Sequence, residues 1–250
     1  MKRGKGAGAA QGRGYRETSF ALLKRVIRHG AFSNVVVTNA LRGGGIPTDE
    51  KRKITALTYG VLRNFALLEH VLKECAGGRL KTSADAKLIG LMAAYEIFFM
   101  DAVPAYAAIN EHVALAGRFA TRPEAGFLNA CLRAAAGSNL RDFTAGIADP
   151  VEKLALETSH PPWLTRRLAS RFGAETCRAV LTAANSPLPL YVRATRLKTG
   201  GSELARRLRA RGWSARHTGS PPQCVEIGGG GGFPLEEYDA GLFTPQDRAM

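Results

Sequence analysis

Apolar residues recur at helical spacing through most of the first 140 positions, and the polar and glycine residues between them mark where each helix starts and stops. Thr18 or Ser19 can cap a helix running to about His29, with Phe20, Leu23, Val26 and Ile27 on one stripe and Gly30 as its stop. A short apolar helix covers Asn34 to Leu41 and ends at the Gly43-Gly44-Gly45 run. Thr48-Asp49-Glu50 then opens one long helix whose stripe holds Ile54, Leu57, Val61, Leu62, Phe65, Leu68 and Leu72. Ser83 or Asp85 starts the next, with Leu88, Leu91, Met92, Tyr95, Phe98 and Phe99 facing inward. Pro104 interrupts the pattern, a helix resumes near Ala107, and another runs from about Pro123 to Ala136. Short loops between such stripes predict an all-α bundle.

Beyond Asp149-Pro150, which reads as a linker, the pattern changes. Pro162-Trp163 opens a helix that draws Trp163 into a core, and Glu175 to Ala184 forms the next. After Pro187 and Pro189, Leu190 to Arg196 alternates as a strand. Ser202 caps a helix to Arg211, stopped by Gly212, and Gln223 to Ile227 reads as a second strand. The predicted fold class is therefore mainly α: a helical bundle, a short helical connection, and a small α+β subdomain. There are no internal repeats.

Composition changes this picture in one respect, through charge. The 250 residues are 45% hydrophobic and 22% charged, ordinary for a chain with a sizeable core, which excludes disorder as the main theme. Thirty-five Lys and Arg face 21 Asp and Glu, a net charge of +14 with a pI near 10.1. Such a surplus points to a polyanionic partner, nucleic acid before membrane. Residues 1–28 hold eight basic residues against Glu17, and residues 193–216 hold eight against Glu203, so these two segments carry the whole excess. Residues 217–250 are acidic. The Gly-rich arm, residues 1–14, predicts disorder without a ligand.

Membrane and secretory classes are not favoured. The longest apolar run, Leu88 to Met100, is thirteen residues and contains Glu96, too short to span a bilayer. Met1 to Gly14 is basic with no apolar stretch behind it, unlike a signal peptide. Cys75, Cys131, Cys177 and Cys224 are too far apart in sequence for a metal clip and suit a reducing cytoplasm. His29, His70, His112, His160 and His217 are scattered, with no second His or Cys three to five residues away, so no metal is expected. Neither a Gly-x-Ser-x-Gly elbow nor a phosphate loop is present. Val225-Glu226-Ile227 followed by Gly228 to Gly232 mimics a nucleotide-binding loop, yet Phe233-Pro234 follows where that loop needs a helix. It reads as a plain loop. Asp101, Asn110 and Glu111 read as caps around the helix broken at Pro104.

At these positions the chain resembles a known family. Tyr59-Gly60-Val61-Leu62-Arg63, Ala94-Tyr95-Glu96-Ile97, Asp101-x-x-Pro104, Ala108-Ile109-Asn110-Glu111 with Ala114 and Ala116, and Phe127-Leu128-Asn129-Ala130 with Leu132-Arg133 resemble the NusB antitermination-factor domain over about residues 15–140. Further on, Ser159-His160-Pro161-Pro162-Trp163-Leu164, Asn185-Ser186-Pro187, Tyr191-Val192-Arg193-Ala194-Thr195 and Phe243-Thr244-Pro245-Gln246-Asp247 resemble the bacterial ribosomal RNA small-subunit methyltransferase B family, which makes 5-methylcytosine. The resemblance implies a disordered arm (1–14), a NusB-like RNA-binding domain (15–145) and a connecting region (146–250), ending where an S-adenosylmethionine-binding catalytic domain begins. The family's cofactor loop and its two catalytic cysteines have no counterparts, and Cys177 and Cys224 match neither setting. The expectation is thus an RNA-recruiting portion, without cofactor or catalytic residues of its own, whose partner is small-subunit ribosomal RNA in the cytoplasm. The alternatives are a NusB-like antitermination or adaptor protein, against which residues 150–250 weigh, and an interaction module with no RNA role.

Independently of family, the basic clusters nominate the RNA-contacting residues. Arg13, Arg16, Lys24, Arg25 and Arg28 lie on the arm and first helix, where guanidinium forks can hold phosphates. Arg206, Arg207, Arg209 and Arg211 project from a helix that buries Leu204 and Leu208, with Arg193 and Arg196 nearby in sequence. Arg193 and Thr195 share a strand face with Tyr191, whose ring either stacks on a base or packs in the core.

Overall fold

The computed structural model describes residues 14–42, 45–186, 189–228 and 233–246. They fall into two compact units divided between Asn185 and Ser186. Arg13 with the rest of the basic arm, Gly43, Gly44, Pro187, Gly229 to Gly232 and residues 247–250 lie outside the described residues.

The first unit is all helix. Its elements are α1 (Tyr15–His29), α2 (Ser33–Leu41), α3 (Thr48–Arg63), α4 (Phe65–Cys75), α5 (Ala84–Phe99), α6 (Ala105–Phe119) and α7 (Arg122–Ala136), then α8 (Asp142–Ala145), α9 (Pro150–Glu157), α10 (Pro162–Phe172) and α11 (Ala174–Asn185). Helix α5 packs against α1, α3, α4, α6 and α7, which explains why its sequence is apolar all round rather than striped. Its Leu88, Ile89, Leu91 and Met92 meet Leu23, Leu57, Leu68, Leu72, Leu128 and Leu132 in one core. Gly60 lets α3 and α5 approach. A Cβ there would fall 2.0 Å from the Tyr95 ring, so two residues of the resemblance motifs meet at one helix crossing.

The structure corrects several boundaries. Helix α1 begins at Tyr15 behind Gly14 rather than at Thr18 or Ser19, and both hydroxyls are buried inside it. The expected single helix from Thr48 breaks at Asn64, whose backbone leaves the helical region while its side-chain amide donates to the Gly60 carbonyl at 3.0 Å. Phe99 lies at the rim, 37% exposed, while Glu96 is fully buried. Asn110 and Glu111 lie within α6, whose start is set by Pro104, and neither caps it. Asp149-Pro150 is a helix start: Asp149 Oδ1 accepts from the Val151 amide at 2.8 Å and Pro150 fills the first helical position. Trp163 is 64% exposed, because α10 turns Thr165, Leu168 and Ala169 inward instead.

The second unit is a four-stranded antiparallel sheet in the order β2-β3-β1-β4, from β1 (Leu190–Ala194), β2 (Ser214–His217), β3 (Cys224–Gly228) and β4 (Phe243–Pro245), with α12 (Gly201–Ala210) and α13 (Leu235–Asp239). Alternation places Val192, Ala194, Ala215, Val225, Ile227 and Phe243 on one face, covered by Leu204, Ala205 and Leu208 of α12. Strands β2 and β4 went unpredicted. Gly200, rather than Ser202, is the α12 N-cap; the Ser202 hydroxyl instead pairs with His217 Nδ1 at 3.1 Å. All four cysteines are free thiols, and burial pushes those of Cys75 and Cys131 up. No helix among the described residues is long and apolar enough to cross a membrane.

Candidate nucleic-acid interface

Helix α1 sorts its basic residues by depth. Arg16, on the inner side, is tied to the bundle: its Nε lies 3.0 Å and its Nη2 2.8 Å from Glu96 Oε2, and Nη1 reaches Glu111 at 3.7 Å. The Arg16 side chain is only 17% exposed and Glu96 is fully enclosed. His112, also enclosed, places Nδ1 2.9 Å from the Ala108 carbonyl and 3.9 Å from Glu96. Burial lowers the His112 pKa despite that carboxylate, and burial followed by the Glu96 charge pushes the Tyr15 phenol up. This is a structural ion pair, and its guanidinium is committed.

The outer residues differ. Lys24 Nζ and Arg28 Nη1 share Asp85, at 2.7 and 2.8 Å. Asp85 sits in the first turn of α5, where the helix dipole also favours a carboxylate. Arg25 is exposed and makes no ion pair among the described residues.

In the second unit the sheet face opposite α12 carries Tyr191 and Arg193 from β1, Glu226 from β3, Arg216 from β2 and Thr244 from β4. Strand register aligns Tyr191 with Glu226, Arg216 with Glu226, and Arg193 with Cys224 and Thr244. Arg193 is exposed while Tyr191 is half-buried, with Val192 and Ala194 turned to the other side. Arg216 pairs with Glu226 at 2.5 Å. Arg196 lies in the turn after β1, with Nε 2.8 Å from the Gln223 amide oxygen when that amide is turned toward it.

On α12, Arg206 and Arg207 both engage Glu203, the latter at 3.0 Å, and the Arg207 bond leads in holding the Glu203 carboxyl below its ordinary value. Arg209 Nη1 donates to the Ala215 carbonyl at 3.2 Å. Arg211 pairs with Glu236 and, at 3.1 Å, with Glu237 of α13. The predicted residues thus form two separate sets, one on each unit. Sequence reasoning missed Arg216, although the Ser-Ala-Arg-His alternation of β2 is its signal.

Among the described residues, the strand that leads into the glycine run does not have the setting of a nucleotide-binding loop. Strand β3 is interior and antiparallel to both neighbours, whereas a nucleotide crevice forms between parallel strands feeding helices. Among the described residues no group of three or more His, Cys, Asp or Glu is placed to hold a metal ion.

Taken by architecture, this is a helical bundle extended by four further helices and followed by a one-helix-layer α+β unit. The family comparisons agree. The NusB family model matches residues 13–137, and a second, "Methyltr_RsmF/B-like, ferredoxin-like domain", matches residues 160–231. The chain belongs to the NusB family and carries behind it a ferredoxin-like domain of the RsmF/B-like methyltransferases. It is 27% identical over 197 residues to "Probable ribosomal RNA small subunit methyltransferase B" of Bacillus subtilis (strain 168), covering 79% of this chain and 44% of that protein. It is 26% identical over 244 residues to the protein of the same description from Synechocystis sp., covering 94% of this chain and 53% of the relative. The chain therefore spans about half the length of these curated relatives. The crystal structure of PH0851 shares the fold, with a TM-score of 0.60 at 16% identity, over 92% of this chain and 53% of that one.

Proposed function

We propose that this chain is the RNA-binding N-terminal portion of an S-adenosylmethionine-dependent 16S rRNA (cytosine-5) methyltransferase, which recruits and positions small-subunit rRNA in the cytoplasm. The observation that carries the reading is the pairing, in one chain and in this order, of a NusB domain with an RsmF/B-like ferredoxin-like domain. Relatives described as ribosomal RNA small subunit methyltransferase B match along most of the same span. The basic residues give it a physical basis. Lys24 and Arg28 share the partly buried Asp85, and Arg211 bridges exposed Glu236 and buried Glu237. Arg25 and Arg193 are exposed cations without carboxylate partners among the described residues, and Arg206 and Arg207 make only surface pairs with Glu203. Such pairs are worth about 0–1 kcal/mol, so a phosphate can replace the carboxylate. With Arg13, Arg196 and Arg209 these residues make the proposed contact set. Arg16 drops out of it.

Catalysis is not part of this portion. S-adenosylmethionine titrated calorimetrically into the isolated chain should give no saturable heat, and micromolar binding would contradict the reading. RNA binding is tested by titrating a small-subunit rRNA stem-loop across a salt series. Each phosphate contact contributes about −0.7 to −0.9 to the log–log slope, so several simultaneous contacts give roughly −4 to −7. Replacing Arg206, Arg207 and Arg209 with alanine should flatten the slope by about 1 to 3 units. A flat slope in the parent chain would remove the RNA reading altogether.

A further inference from the structure

A further basic feature lies in the first unit, in residues 141–178, outside the basic cluster of residues 1–28. Helices α4, α8, α9 and α11 enclose a cleft of about 470 Å³, lined by Leu67, Arg141, Thr144, Lys153, Glu157 and Arg178 among others. This volume is within the usual range of ligand sites.

Three cations here face one carboxylate, and that carboxylate is already engaged. Glu157 Oε2 accepts from Arg178 Nη1 at 3.1 Å and Oε1 from the Thr144 hydroxyl at 3.3 Å. The acids nearest Lys153 on its own helix turn elsewhere: Asp149 and Glu152 lie 3.8 and 3.5 Å from Arg166. Among the described residues Arg141 and Lys153 have no ion pair. Lys153 is half-buried, where an ammonium without a counter-charge is unfavourable and a mobile anion is stabilised. Arg141 and Arg178 are exposed at the mouth, so the cleft can admit a polymer rather than only a free ion.

We infer that this cleft, where Arg141, Lys153 and Arg178 converge around Glu157, binds the phosphodiester backbone of RNA. The inference rests on the RNA-binding reading above and adds a contact region that neither sequence cluster contains. It assigns an RNA-holding role to α8, α9 and α11.

The test uses the full chain and the same stem-loop salt series. The double variant Arg141→Ala/Lys153→Ala removes two phosphate contacts, so its slope should flatten by about 1.4–1.8 units, which is roughly a 20-fold weaker affinity at 0.15 M salt. Val180→Ala, uncharged and exposed on α11 outside the cleft lining, should leave both unchanged. Circular dichroism checks folding, and Arg141→Gln/Lys153→Gln keeps the side-chain bulk if the alanines unfold the chain. A parent that binds with a steep slope beside a folded double variant of equal slope and affinity overturns the inference while sparing the RNA reading. A parent with no salt-dependent binding overturns both. Inorganic phosphate, titrated alone and followed through the Lys153 and Arg178 side-chain resonances, should bind only weakly. Saturation by phosphate, with no loss of RNA affinity in the variant, would make the cleft a free-anion site and refute its RNA role.

Discussion

Replacing Arg16 with alanine should cost stability and leave RNA binding in place, the opposite of what its position in the basic cluster suggests. The guanidinium is held by Glu96 through Nε and Nη2 at 2.8–3.1 Å, and Glu96 has no exposure of its own. Removing one partner of such a pair leaves a buried charge and costs about 3–5 kcal/mol. Arg16 keeps some solvent contact, so the lower end, about 3 kcal/mol, applies. For a unit of this size each kcal/mol moves the midpoint by about 2–4 °C, giving a fall of roughly 6–12 °C. Circular dichroism at 222 nm reads it, since the first unit is all helix. Arg16→Met combined with Glu96→Leu should recover much of the loss, because a well-packed apolar pair commonly matches a buried ion pair in stability. At a temperature where Arg16→Ala is folded, its RNA salt slope should equal the parent's, whereas Arg25→Ala should flatten it by about 0.7–0.9. An unchanged melting midpoint together with a flattened slope would refute the reasoning and return Arg16 to the RNA-binding surface.

Three further outcomes follow from packing and titration. Gly201→Ala places a Cβ 2.7 Å from the Pro222 carbonyl and from the His217 ring, so the α12 start must shift at a cost of about 1–3 kcal/mol, read as a lower urea midpoint for the second unit; an unchanged midpoint would show that the 218–223 turn yields freely. His112 is enclosed with its pKa lowered by burial, so its contribution is fully present above the ordinary value of 6.5 and is lost as pH falls below it; His112→Phe should flatten the melting profile between pH 7 and 5, and an identical profile would contradict this. Glu124 closes a capping box on Thr121 and is held at about 2, chiefly by the Thr121 backbone amide. The stability it adds is present above its ordinary value of 4.5 and lost toward pH 2, so the gap between the parent and Glu124→Gln should close over that range.

How much of this was legible beforehand depends on the range of the interaction. Stripes such as Leu57, Val61, Leu68 and Leu72 are local, and they placed the bundle and its core correctly. The break at Asn64 was invisible because no Gly or Pro marks it and the apolar stripe runs straight through. Thr18 and Ser19 look like caps in the sequence because good capping residues also tolerate burial in a helix, whereas α1 starts at Tyr15 behind Gly14. Trp163 shows the converse: a large aromatic next to a helix start was assigned to a core that three smaller residues occupy instead. Strands β2 and β4 are four and three residues long, too short to alternate convincingly. For the interface, residue type was readable and pairing was not. Asp85 lies 61 and 57 residues from Lys24 and Arg28, and Glu96 lies 80 from Arg16.

That distinction changes how the charge excess should be understood. Clustering along the chain treats every basic residue as equally available, yet depth decides availability. Arg16 cannot leave Glu96 without exposing a buried carboxylate to the protein interior. Arg206 and Arg207 can leave Glu203, because exposed pairs hold by little more than thermal energy and a polyanion competes by releasing its counterions. Cations dispersed in sequence become more available when folding removes their acids: Arg166 takes Asp149 and Glu152 from Lys153. The affinity of the chain for a phosphate backbone should therefore track the count of unpaired and surface-paired cations rather than the formal charge. Two variants that each remove one positive charge, Arg16→Ala and Lys153→Ala, then part company in a salt series: the first keeps the parental slope and the second does not.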